Sequence, residues 1–149
     1  MHPFDIKSAL LAKHAQHVVL IHFPIALFIA GVAFDFAAQW TRRQFLAAAA
    51  YCNLLAAAVV TVPVLISGVL AWQWQLEGQR LKGILLLHSI LGCASSLLIW
   101  VVTLIHLRAQ RRNGRVLPCY RLLVEAVAVA LVILTGHLGG FLSGVNVSS

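Results

Sequence analysis

The chain has 149 residues, 61% of them hydrophobic and only 10% charged, against roughly 25% charged in a soluble domain. A soluble fold of this length needs a polar shell that this composition does not supply, so the expected solvent is lipid, and one domain accounts for the length. The net charge of +7 sits in short basic segments between apolar runs, which is the flanking charge of membrane spans rather than a nucleic-acid surface.

Residues 3–14 set Phe4, Ala9, Leu10 and Leu11 among Asp5, Lys7, Ser8 and Lys13. That pattern fits a short interfacial helix lying on the bilayer, or a frayed terminus. The first apolar run, 18–40, carries one formal charge, Asp35, and closes on Trp40 followed by Arg42 and Arg43. It is too long for the apolar part of a cleavable signal and reads as a span that stays. The second run, 45–74, contains Pro63 and ends at Trp72 and Trp74. The third covers 83–107 and the fourth 122–145, with Glu125 inside it. Each exceeds the roughly 20 apolar residues that cross a hydrocarbon core. The links are short, so neighbouring spans run antiparallel, and the expected fold is an all-α, up-down four-helix bundle integral to the membrane. The three cysteines, Cys52, Cys93 and Cys119, are scattered without metal or c-type haem spacing and read as small packing residues.

Side A denotes the face where the first run begins and the fourth ends; side B is the opposite face. Side B carries Arg42, Arg43, Arg108, Arg111, Arg112, Arg115 and Arg121, and side A carries Lys7, Lys13, Arg80 and Lys82. The excess of basic residues places side B in the cytoplasm and both termini in the periplasm of a bacterial inner membrane.

The chain holds seven histidines. His22, His88 and His137, from three different spans, sit roughly 6 to 12 Å inside side A by helical rise, and His17 lies closer to the interface. Ionisable residues within a membrane are costly and usually face the bundle interior. Three chemistries fit such a layer. A b-type haem takes axial imidazoles and needs small residues beside its ring, and Gly136, Gly139 and Gly140 flank His137. A copper or zinc ion would use His88, His137 and His22. A proton relay, or hydrogen bonds between helices, would use the same rings. His17 and His22 are five residues apart, about 140° around a helix, so they do not share one iron. Only side A is well supplied with imidazoles, which favours one haem over two stacked across the membrane.

Asp35 and Glu125 lie at similar depth near side B, with Asn53 in the same half and Arg121 one turn before Glu125 at ion-pair spacing. These residues are expected to tie the helices together, and a proton path or a quinone head-group site is the functional alternative, with Trp100 and His106 nearby. His106, beside Arg108, is expected at the interface. No nucleophile motif or phosphate loop is present.

The stretch from His17 through His22, Phe23, Pro24, Ile25, Ala26 and Leu27, together with Gly136, His137, Leu138, Gly139, Gly140 and, beyond them, Gly144 and Val145, resembles the opening and closing motifs of the DUF2231 family. That resemblance covers nearly the whole chain and implies a bacterial membrane protein of four spans. His88 falls where the family tends to carry a histidine. Val18 departs from the family's usual proline after the first histidine. Members that appear beside cytochrome-type domains connect the resemblance to haem.

The reading is a haem b electron-transfer subunit rather than a self-contained enzyme, working between a periplasmic redox partner protein and quinone or a larger respiratory complex. His88 and His137 are the expected axial ligands, with His22 and then His17 as substitutes. The alternative is a non-redox structural, proton- or metal-handling membrane protein. The lipid bilayer is the one partner the composition demands; a protein partner or an oligomer is compatible with it.

Overall fold

The computed structural model describes residues 15–75, 80–111 and 117–143. Four helices account for nearly all of them: α1 (Ala15–Thr41), α2 (Gln44–Gln75), α3 (Gly83–Arg111) and α4 (Arg121–Leu142). All four are long and apolar enough to cross a membrane, and no strand occurs among the described residues. The interfacial helix expected over residues 3–14 lies outside them, as does the end of the fourth run beyond residue 143.

In lipid every backbone polar group must be satisfied within the chain, which is why apolar runs of this length settle as helices. The turn from α1 to α2 is tight. Arg42 takes a left-handed conformation (φ 59), and its N–H donates to Ala38 O at 2.8 Å. That bond closes the last turn of α1 in the manner of a left-handed cap. Pro24 and Pro63 sit inside α1 and α2. Each removes one backbone donor, leaving a carbonyl four residues earlier without its helical partner.

Each helix buries one stripe. On α1 it is Pro24, Phe28, Gly31, Val32 and Asp35; on α2 it is Ala50, Leu54, Ala57, Ala58 and Thr61. On α3 it is Ser95, Ile99, Val102, Thr103, His106 and Ala109, and on α4 Arg121, Glu125, Ala128 and Val132. These are the three- and four-residue spacings of an inward helix face. The cysteines are not the packing residues expected of them: Cys52, Cys93 and Cys119 are all exposed, and Cys93 lies along the side A cavity.

α1 packs most extensively on α2, and α3 on α4, while α1 and α4 share a much smaller contact. The close approach of α1 to α2 depends on Gly31. A Cβ there would stand 2.9 Å from Leu54 Cγ and 3.2 Å from the Leu54 backbone nitrogen. α2 and α3 are joined by side-chain bonds: Thr103 Oγ1–H is shared between Leu54 O (3.0 Å) and Ile99 O (2.8 Å), and Trp100 Nε1–H donates to Thr61 Oγ1 (3.1 Å). The apolar core formed by Phe28, Val32, Leu54, Ala57, Ala58, Ile99, Val102, Ala128 and Val132 fills the middle and the side B half. Toward side A the helices enclose a cavity instead.

Gly31→Ala is expected to destabilise the protein by about 1–3 kcal/mol, the usual range for overpacking a tight contact. Gly92→Ala is the control, because its Cβ would meet only Thr135 Cγ2 at an ordinary 3.8 Å. Denaturation curves of the two variants in detergent micelles check the difference.

Candidate functional site

All four helices contribute to the cavity, whose volume is about 450 Å³. That lies within the range of small-molecule and cofactor sites. Its floor is the last layer of the core, with Thr61, Ser95, Ile99 and Val132, and its walls rise to His17, Trp72, Leu85 and Leu142.

His17 and His88 line it, from α1 and α3. Each ring lies against a glycine of another helix. A Cβ at Gly68 would stand 3.1 Å from His17 Cε1, and one at Gly139 would stand 3.2 Å from His88 Cε1. Each ring is also held through Nδ1. His88 Nδ1 lies 3.1 Å from Thr135 O, and a carbonyl only accepts, so Nδ1 carries the proton. His17 Nδ1 lies 2.9 Å from Ser67 Oγ. The Ser67 hydroxyl hydrogen donates to Val64 O at 2.9 Å, so Ser67 Oγ accepts and His17 Nδ1 is the donor. In the neutral ring the lone pair is then on Nε2 in both cases. This is how a metal-ligating histidine is usually prepared, with the second nitrogen bonded to a carbonyl or another acceptor that fixes tautomer and orientation.

Five hydroxyls of the cavity have the same character. Thr61, Ser89, Ser95, Thr135 and Ser143 line it, and each donates its hydroxyl proton to a carbonyl of its own helix. Their oxygens are left with lone pairs, so these groups offer electron pairs rather than protons.

The expected layer of three imidazoles does not converge. His22 is exposed and donates from Nδ1 to Val18 O one turn back (2.6 Å). His137 is also exposed, stacked edge-on against Phe141 with ring centroids 4.9 Å apart. Neither lines the cavity, and the set His22, His88 and His137 forms no ligand cluster. His17 takes the inward place on α1 that His22 was expected to share. Gly136 and Gly139 line the cavity and Gly140 does not.

A second polar group lies in the side B half. Arg121 Nε–H donates to Asp35 Oδ2 at 2.7 Å, with both side chains almost fully buried. The same guanidinium donates from Nη2 to Gln39 Oε1 (3.0 Å) and from Nη1 to Pro118 O (3.4 Å). Arg121 thus pairs with α1 rather than with Glu125 one turn along its own helix. Glu125 is fully buried, and its Oε1 lies 2.9 Å from Nε2 of a buried His106. His106 is therefore a core residue of the bundle, not the interfacial one expected from its place beside Arg108. Asn53 is half-buried and bonds only to Ala49 O within α2.

The model of a predicted membrane protein family, DUF2231, matches residues 13–146. The chain belongs to the DUF2231 family. The match runs from two residues before the start of α1 to beyond the end of α4, so both polar sites fall inside the DUF2231 region. No curated protein and no solved structure matches the chain.

Removing one partner of a buried ion pair leaves an unpaired charge and costs about 3–5 kcal/mol. Arg121→Met alone is therefore expected to unfold a large fraction of the protein in detergent, and the double variant Arg121→Met with Asp35→Leu to recover most of the loss. Fluorescence-detected size exclusion after heating reads both.

Proposed function

We propose that the side A cavity holds a b-type haem, that His17 and His88 are the residues that would ligate its iron, and that the protein is a small electron-transfer subunit. The observation that supports this reading most is the pair of rings on different helices, each backed by a glycine and bonded through Nδ1, each with its Nε2 lone pair uncommitted. A bare zinc or copper ion ordinarily needs three or four protein donors. Among the described residues the cavity brings no third histidine, cysteine or carboxylate ligand within reach of these two. A haem brings four nitrogens of its own and asks the protein for two. When bound, haem supplies one-electron transfer; the chain supplies ligation, an apolar wall and the space that Gly68, Gly136 and Gly139 leave.

The partners that fit this role are a periplasmic redox protein on one side and quinone or a larger respiratory complex on the other. The orientation rests on basic residues near the span ends. With Arg121 consumed in the buried ion pair, side B keeps six of its seven arginines against four basic residues on side A. That bias puts side B in the cytoplasm of a bacterial inner membrane and the cavity near the periplasm.

Purified protein from haem-replete cells is expected to show a reduced-minus-oxidised absorption band of haem b. His17→Ala and His88→Ala should each abolish it, whereas His22→Ala, His137→Ala and His106→Ala should keep it. Gly139→Leu, which would crowd the His88 ring, should weaken haem retention at least about tenfold, a change of some 1.4 kcal/mol. Well-folded protein without colour, or a band that survives loss of both His17 and His88, would overturn the proposal. Stoichiometric copper or zinc in such colourless protein would establish the metal-handling alternative.

A further inference from the structure

The side B cluster has an odd charge count. Asp35 and Glu125 contribute two negative charges and Arg121 one positive charge, and all three are almost fully buried. With His106 neutral, the cluster carries one net negative charge inside a membrane span. An uncompensated charge in a medium of low polarity is expensive, and the usual remedy is to bind a proton. The cluster reaches neutrality with one proton more, on the His106–Glu125 pair.

Two further observations place that proton. Glu125 Oε2 is the one buried side-chain oxygen among the described residues with no hydrogen-bond partner. Bare and ionised, it would be an unsolvated seat of negative charge; protonated, it is a neutral oxygen. In addition, Asp35, His106 and Glu125 each offer one atom within 4.8 Å of the others. Two carboxylates this close in a buried site favour having one of them neutral.

The elements packed against Glu125 are α3 and α1. α3 presents His106 to the cluster, and α1 presents Asp35 and the neutral Gln39. Arg121 comes from α4 itself. Among the described residues no titratable side chain of α2 is hydrogen-bonded or ion-paired to the group, and the neutral amide of Asn53 is bonded within its own helix. Arg108 and Arg111 of α3 are exposed.

We infer that Asp35, His106, Arg121 and Glu125 form a binding site for a single exchangeable proton, shared by His106 and Glu125 and countered by the fixed Arg121–Asp35 pair. On loading, one H⁺ joins the pair, giving either a carboxylic acid beside a neutral imidazole or a carboxylate beside an imidazolium. The cluster changes from one negative charge to none. A divalent cation on the same atoms would instead leave it at plus one, so charge balance favours the proton over that occupant. Glu125 lies four residues after the start of α4, about 6 Å from that helix end, so exchange with the side B face needs only a short path. This inference does not depend on what fills the side A cavity.

The chain has only two glutamates, Glu77 and Glu125. In a Glu77→Gln protein labelled with carboxyl-¹³C glutamate and placed in lipid nanodiscs, every labelled carboxyl signal comes from Glu125, with the cluster untouched. Infrared and NMR spectra across a pH series are expected to show Glu125 and ¹⁵N-labelled His106 changing together in one single-proton step. Asp35→Asn, which removes the charge that the proton balances, should weaken proton uptake by about tenfold or more. Glu125→Gln should release one proton fewer than the parent protein over the same series. A Glu125 signal that stays constant over the whole range in which the protein remains folded would overturn the inference. So would two separate titrations with no coupling between the residues, or stoichiometric Zn²⁺ binding lost in Glu125→Gln. If Asp35→Asn or Glu125→Gln fails to fold, the labelled Glu77→Gln series still decides.

Discussion

The ion pair between Arg121 and Asp35 closes the bundle. α1 pairs with α2 and α3 with α4 through long apolar seams, but α1 and α4 meet over a small contact. Apolar packing gives little preference between protein and lipid in a bilayer, where the tails are as apolar as the side chains. A charged guanidinium and a carboxylate have no such indifference, since neither can face lipid alone. Their 2.7 Å contact, with the His106–Glu125 contact from α3 to α4, makes a ring of the four helices where apolar packing would leave an open sheaf.

What is held together at side B is free to part at side A. The core runs out at Ile99 and Val132, and beyond it the inward positions include His17, Gly68, His88, Gly136 and Gly139. These rings and glycines stand among aliphatic side chains such as Ile25, Val64 and Leu85, which line the space without filling it. Pro24 and Pro63 stand near the start of this region, where each frees a backbone carbonyl. The cavity follows from that change in the inward stripe, and the two glycine-backed imidazoles are its most specific feature.

The four spans, their order and the family were legible in the sequence, because length and apolarity alone decide them in a bilayer. Position along each helix was legible too, since it depends only on counting residues. Direction was not taken from the same information, although the chain contains it. Counting from His17 by threes and fours reaches Ile21, Pro24, Ile25 and Phe28, which lead into the core. Counting from His22 reaches Ala26, Ile29 and Ala33, all exposed. On α4, steps from Glu125 lead through Ala128 and Val132 to Thr135, Gly136 and Gly139, while His137 falls on the outer face with Leu134 and Phe141. Helical phase, anchored on the buried charges, separates the two sets. The pairing of Arg121 was less accessible. A one-turn spacing to Glu125 is local and visible, whereas its actual partner is 86 residues away and is chosen by the packing of α4 on α1.

α3 carries both sites on one face. His88 and His106 are 18 residues apart, five full turns, so they point the same way about 27 Å apart along the axis. Ser95, Ile99, Val102 and Thr103 lie between them on that face. The two hydroxyls do not make a wire, because Ser95 donates to Gly92 O and Thr103 to carbonyls of α2 and α3. Communication would then have to act through the field. A unit charge gained at one histidine is felt at the other by about 0.6 kcal/mol at an effective dielectric of 20, less than half of a tenfold change in an equilibrium. The apolar layer of Phe28, Leu54, Ile99 and Val102 therefore insulates the halves. The cavity and the charged cluster thus lie at opposite ends of the bundle, with little electrostatic coupling between them.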